Sequence, residues 1–240
     1  MSVESVAAAV ETAAVDGWFR DPPRFLAAMA SAPTKAIAKA FVLEWTTFSR
    51  GFPRWVGAVM ASCPEFDVLA YEVENLVSEV VRDPAAGTNH YELLVRLGVG
   101  AGLDRTSIEA HRPGPRARVA FAYWEAMARQ PDWLLGFAAV NGLEILGDRN
   151  LPRRHGVSQG TGLAPDPWAA SGIDDHALEF FHVSDEADAV HGNVTVDILA
   201  RHTPDDRVDD VVAVLGDTMA HLRAVMDEMW DLAVGLGHEG

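Results

Sequence analysis

The sequence predicts an all-α protein, on three observations. Ala, Leu, Glu and Arg recur at spacings of three and four through most of the 240 residues, which places them on shared helix faces. β-Branched residues rarely alternate with polar ones, so strand signals are nearly absent. Proline and glycine fall between the periodic stretches, at Asp21-Pro22-Pro23, Gly51-Phe52-Pro53, Asp83-Pro84 and Arg112-Pro113-Gly114-Pro115, where helices are expected to stop.

In chain order the periodicity predicts helices over 3–15, 22–31, 34–49 and 52–62, the last two parted by Gly51-Phe52-Pro53. A helix over 65–82 carries an apolar stripe of Phe66, Leu69, Val73, Leu76 and Val80, with Glu72 and Glu79 on its flank. Thr88 or Asn89 is a cap for the helix over 90–100, where His90 precedes Leu93, Leu94 and Leu97 at offsets of three, four and seven. Helices over 104–110 and 115–129 lie on either side of the Arg112–Pro115 punctuation, and 132–146 is apolar on every face. From Gly147 to Gly172 the chain is rich in Gly and Pro, and an irregular stretch that long in a compact domain suggests a lid. Helices over 174–202 and 206–236 complete the chain, and the last, ending DEMWDLAVGLG, has an apolar side suited to a homodimer.

Half the side chains are apolar, enough for a sizeable core, and residues 1–240 are expected to form a single helical bundle domain. With 19 basic residues scattered among 35 acidic ones, giving a formal charge of −16, no basic face for nucleic acid is expected. The lone Cys63 rules out a disulfide framework or a Cys-based zinc site within the chain. No apolar run reaches membrane-spanning length, and the opening MSVESVAAAVETAAV lacks the basic start of a signal peptide. A cytoplasmic protein is expected.

Polar residues in apolar surroundings point to chemistry. Glu144 is the only ionisable residue between Trp133 and Leu146, and an unpaired carboxylate there would cost several kcal/mol, roughly, so it needs a cationic partner, a proton or a metal. His90 lies on the apolar stripe of its own helix. Glu72 and Glu79, taken alone, read as a solvated helix edge. In FFHVSDEADAVHG, Ser184, Asp188, His191 and Thr195 fall within a sector of about 60°, while His182 points about 150° away. Asp188-x-x-His191 is the aspartate analogue of the Glu-x-x-His arrangement with which helical bundles hold iron or manganese.

The segments FVLEWTTFSRGFPRWVGAVMASCPEFDVLAYEVENLVSEV, NHYELLVRLGVGAGLD, PRARVAFAYWEAMARQPDWLLGFAAVNGLE and FFHVSDEADAVHG, in that order over roughly residues 38–202, resemble the heme-oxygenase-like di-iron oxidases and oxygenases. That superfamily also holds thiaminase-II-like and pyrroloquinoline-quinone-synthase-like members. The resemblance implies a heme-oxygenase-like bundle and a metal set of Glu79, His90, Glu144, Asp188 and His191, with Glu79 in NLVSE preferred to Glu72 and Glu144 as the bridging carboxylate. It also exposes a departure: where the family has the first histidine of His-x-x-x-Asp-x-x-His, this chain has Ser184. Three outcomes stay open. A π-bulge between residues 182 and 188 would turn His182 towards the metal. A single iron would be held by Glu79, His90, Glu144 and His191, with Ser184 at a weak second position. Or the fold has lost redox metal.

The implied function is a non-heme iron enzyme that activates O₂ at one or two Fe(II) and oxidises a small amino-acid-, amine- or fatty-acid-like substrate in a natural-product pathway. Trp45, Phe48, Phe52, Trp55, Phe121, Trp124 and Phe137 offer aromatic surface for a pocket, and Arg50 and Arg54 are candidates to clamp a substrate carboxylate. The alternatives are a metal-independent thiaminase-like or quinone-synthase-like enzyme, the former calling on Cys63 as nucleophile, and a non-catalytic binding protein on the same fold.

Overall fold

A computed structural model describes residues 2–238, except for the side chains of Glu186, Asp188 and Ala189. Eleven α-helices and no strands are found among the described residues. Ser2 caps α1 (Val3–Ala14) by accepting from the Ser5 amide, and the chain then widens into a π-helical segment, Val15–Phe19. After Pro22-Pro23 comes α2 (Arg24–Ser31), and Thr34 caps α3 (Lys35–Ser62).

α3 departs from expectation, because the two helices predicted over 34–49 and 52–62 are one, running straight through Pro53. An internal proline costs about 3 kcal/mol. Against that, Phe48, Phe52, Trp55, Val56 and Val59 are all buried and stay in phase across the proline only if the helix continues. Phe48 stacks on Trp45 with ring centroids 4.3 Å apart and on Phe52 at 5.4 Å. This aromatic ladder outweighs the proline.

Next come α4 (Phe66–Leu76), which passes into a second π-helical segment at Val77–Val81, α5 (His90–Gly100), α6 (Arg105–Ala110) and α7 (Pro115–Ala128). Pro115 opens α7, and Glu228 reaches over to accept from the Ala117 amide at 2.8 Å. α8 (Trp133–Gly147), capped by Asp132, packs against α3, α7, α10 (Glu179–His202) and α11 (Val208–Gly235). It is the central helix, as its unbroken apolarity requires. The stretch expected to be irregular from Gly147 to Gly172 contains a short α9 (Asn150–Arg154) and a 3₁₀ turn, Asp166–Ala170, and both Leu151 and Trp168 are fully buried. The apolar side of α11 faces inward, with Val225, Met226, Met229 and Ala233 in the core. One cluster of buried apolar side chains runs through all eleven helices. No described helix is long and apolar enough to cross a membrane.

α8 and α10 meet at Gly192. A Cβ there would lie 2.9 Å from the Glu144 carbonyl oxygen and 2.8 Å from the Asp148 Cβ, so glycine permits backbone-to-backbone approach where α8 carries Glu144 and α10 carries His191. Replacing Gly192 with Val is expected to destabilise the protein by about 1–3 kcal/mol through overpacking. Denaturant unfolding would measure this, and a variant as stable as the parent would show that the crossing has room.

Candidate metal centre

α4 presents a polar row inward, with Tyr71, Glu72 and Asn75 all buried and Glu79 following in the π-helical segment. Such π segments recur at functional sites because they shift the register of the side chains beyond them. Glu79 Oε1 lies 2.7 Å from Nδ1 of His90, the first residue of α5. Asn89, one of the two caps expected, holds that helix start by accepting from the Glu92 amide at 2.9 Å. Behind the ring stands Asp83. Its Oδ1 accepts from the Ala85 and Ala86 amides at 2.7 and 3.2 Å, and its Oδ2 lies 3.2 Å from His90 Nε2. Carboxylates thus face both ring nitrogens and fix the imidazole; around a metal-binding histidine a carboxylate such as Asp83 holds the nitrogen that does not face the ion.

Glu144 comes from α8. Its Oε1 accepts from Asn75 Nδ2 at 3.4 Å, and its Oε2 is 3.7 Å from His191 Nδ1 on α10. Tyr71 closes this group, edge-on to the His191 ring at 6.0 Å and 3.3 Å from the Thr195 hydroxyl. Burial holds the Tyr71 hydroxyl well above its ordinary value, and the Glu144 charge adds to the effect.

Glu72 is fully buried, which corrects its reading as a solvated edge. That reading followed the exposed apolar side chains Phe66, Val73 and Val80, whose stripe faces outward and leaves the flank of α4 to face the core. Burial pushes the Glu72 carboxyl up to about 8; the Asn141 amide opposes the rise, Glu144 adds to it and His191 opposes it. Neither Glu72 oxygen has a partner at hydrogen-bonding geometry among the described residues.

The FFHVSDEADAVHG segment is regular α-helix throughout, with no π turn between residues 182 and 188. His182 therefore points outward, half exposed, with Nε2 3.4 Å from Asp175 Oδ1, and the bulge that would bring it to the metal is not formed. Ser184 is buried and faces the same cavity as Glu79, His90 and Glu144. The Asp188 side chain lies outside the described residues. Beside this helix, buried Asp185 is paired with Arg149, a partnership the sequence did not signal.

The cavity holds about 120 Å³, space for on the order of ten water molecules. Trp45, Phe48, Phe52 and Phe180 line it, with Thr161 and Leu163 contributed by the Gly147–Gly172 segment. Trp55, Phe121, Trp124 and Phe137 pack elsewhere in the interior. Among the described residues no Lys or Arg is in the wall. Arg50 and Arg54, expected near substrate, are exposed instead: Arg50 bonds the Glu109 carbonyl and lies over the Tyr91 ring, and Arg54 bonds the Arg50 carbonyl. Both sit on the turn of α3 that points to solvent. Cys63 also lies off the cavity, and burial raises its thiol away from the reactive thiolate.

Glu65, Asp67 and His202 form the one trio of His, Cys, Asp or Glu among the described residues whose ligand atoms all lie within 4.8 Å of one another. Sequence reasoning missed it, since 135 residues part Asp67 from His202. Arg201 already pairs with Asp67 at 2.7 Å, and His202 hydrogen-bonds the same oxygen and lowers its pKa, so the trio belongs to a surface ion-pair network. At the buried centre the ligand-type groups stand as two pairs, Glu79–His90 and Glu144–His191, with Glu72 alongside. Mixed carboxylate and imidazole donors suit iron or manganese, and the burial of Glu144 beside His191 is what a cation would offset. In donor chemistry the residues fit a ferrous ion, held as two pairs and not as one converged set.

The bundle has a heme-oxygenase-like fold. The chain belongs to the family of iron-containing redox enzymes, whose model matches residues 39–226. Among solved structures it is similar to a domain of unknown function with a heme oxygenase-like fold from Shewanella denitrificans (TM-score 0.68, 14% identity, covering 95% of this chain and 90% of that one). It is also similar to a TenA homolog from Pseudomonas syringae (TM-score 0.67, 8% identity, covering 95% and 92%). No curated protein sequence matches it.

Because Glu72 binds its proton more tightly folded than unfolded, the stability it confers on the metal-free protein is fully present below about pH 4.5 and is lost as pH rises through about 8. Replacing Glu72 with Gln is expected to flatten that decline and to leave the metal-free variant more stable by a few kcal/mol at the alkaline end. Unfolding curves across this range would check it; parallel slopes in variant and parent would show that Glu72 keeps its charge.

Proposed function

We propose that this chain is a non-heme iron-dependent oxidase or oxygenase, acting on a small amino-acid-, amine- or fatty-acid-like substrate in a cytoplasmic biosynthetic pathway. One observation carries the reading: Glu79, His90 and Glu144 share the wall of an apolar cavity, and Glu144 also reaches His191 on its other side. Bound Fe(II), one or two per chain, would supply the electrons and the binding position for O₂. Glu79, His90, Glu144 and His191 are the described residues that would hold it, with Asp188 the fifth ligand implied by the family pattern.

The other parts follow from the chain itself. Asp83 fixes the ring plane of His90, and the Asn75 amide pins one oxygen of Glu144, leaving the other towards His191. Aromatic walls keep water from the reacting centre, which strengthens every electrostatic contact there. With no Arg or Lys in the wall, a substrate carboxylate would find no cationic side chain inside the cavity. Ser184 offers a hydroxyl where the family has an imidazole, a weaker donor for ferrous iron.

Anaerobic loading with Fe(II) is expected to give one to two ions per chain, and Glu144→Ala should reduce this sharply. Protein that stays iron-free at saturating Fe(II) would sink the proposal. Ser184→His should tighten the weaker ion in the same titration. Substrate-dependent O₂ uptake, screened over amines, amino acids and fatty acids, is the corresponding activity measurement.

A further inference from the structure

The two pairs Glu79–His90 and Glu144–His191 are held differently. Glu79 Oε1 lies 2.7 Å from His90 Nδ1 and Asp83 stands at Nε2, so carboxylates set that ring. Glu144 Oε2 and His191 Nδ1 are 3.7 Å apart, beyond hydrogen-bonding distance, and this contact does not by itself set the bearing of the His191 ring. The side chain packed against that ring is Tyr71 of α4.

Tyr71 meets His191 edge-on, with the ring planes at 85° and the centroids 6.0 Å apart. A histidine ring turns about its Cβ–Cγ bond in a broad well, and a flat ring seated against it narrows that freedom. Tyr71 is itself held on two sides. On α8 it packs against Phe137, two turns before Glu144, with centroids 6.3 Å apart and planes at 63°. On α10 its hydroxyl lies 3.3 Å from the hydroxyl of Thr195, which is fully buried one turn after His191. Positions 191 and 195 share a face of α10, so the ring and the hydroxyl of Tyr71 both register on one strip of that helix. One turn further along α4, Asn75 donates to Glu144 Oε1. Tyr71 and Asn75 form a clamp, in which each holds one member of the Glu144–His191 pair.

We propose that Tyr71 is the positioning residue of this pair. With its ring against His191 and its hydroxyl on Thr195, it fixes the bearing from which His191 presents its imidazole beside Glu144, as Asp83 does for His90 by a different contact. The assignment rests on the iron reading above and adds a residue outside the five implied ligands. Removing a partner that orients a metal-binding histidine typically costs about ten- to a hundredfold in metal affinity.

The experiment compares the full chain with Tyr71→Phe and Tyr71→Leu in two measurements. Crystal structures of the metal-free proteins read the His191 ring torsion directly, and anaerobic titration with Co(II) reads affinity and ligand geometry. In Tyr71→Leu the His191 ring is expected to turn by more than about 30° or to split between two orientations. Its Co(II) affinity should fall at least about tenfold, with an altered absorption spectrum. Tyr71→Phe keeps the ring and loses the hydroxyl, so its affinity and spectrum should move the same way by less. A side chain that served the core alone would lower stability on substitution and leave torsion and spectrum at the parent's values. A Tyr71→Leu protein with the parent's His191 torsion and Co(II) spectrum would therefore overturn the assignment and leave the iron reading intact. Should Tyr71→Leu not fold, Tyr71→Phe decides: Co(II) affinity and spectrum identical to the parent's overturn the assignment. A parent that binds neither Fe(II) nor Co(II) overturns the iron reading, and the His191 torsion in the metal-free variants then judges Tyr71 separately.

Discussion

The structure is organised around the burial of acid in an apolar helix. α8 sits at the centre of the bundle and carries a single ionisable side chain, Glu144. A carboxylate in that position is tolerated only if its neighbours supply donors or positive charge. Asn75 supplies a donor, His191 an imidazole, and the Gly192 contact lets α10 come close enough to deliver it. The packing of α4, α8 and α10 is therefore set by Glu144 as much as by the hydrophobic core.

α4 meets this demand by being two-faced. Its inner face mixes the core residues Val68 and Tyr71 with buried Glu72 and Asn75, while Phe66 and Val73, and Val77, Val80 and Val81 of the π-helical segment, are exposed. This departs from the usual amphipathic helix, in which polar side chains face water. This arrangement places Tyr71, Glu72 and Asn75 against α8 and α10, and the π-helical segment after Leu76 brings Glu79 round to His90. A continuous α-helix would turn Glu79 to a different bearing, so the widened turns belong to the site.

Much of the fold was legible along the chain. Helix starts at Lys35, His90 and Trp133 follow from Thr34, Asn89 and Asp132, whose side chains accept from the first-turn amides. The apolarity of 132–146 correctly marked a central helix. The break expected at Pro53 failed because a local breaker competes with a long apolar ladder, and only packing shows which is stronger. Glu72 was misread for a related reason: its helix was assigned a buried face centred on the apolar stripe, and in this helix Phe66, Val73 and Val80 of that stripe are exposed while the flank carrying Glu72 is buried.

The resemblance to a family, carried by ordered motifs, gave Glu79, His90 and Glu144 and the class of chemistry, because ligand spacing along helices is a one-dimensional property. What spacing does not contain is orientation between helices. That Ser184 faces the cavity while His182 faces solvent follows from an α10 without a bulge; that Asp83 backs His90, that Asn75 and Asn141 flank a buried Glu72, and that Arg50 and Arg54 lie outside, follow from how the helices cross. Local sequence determined most helices and their caps, since these depend on neighbours a few residues apart. The tertiary structure alone decided which acids are buried together, since electrostatic cost depends on distance through space and the groups concerned lie up to about 120 residues apart in the chain.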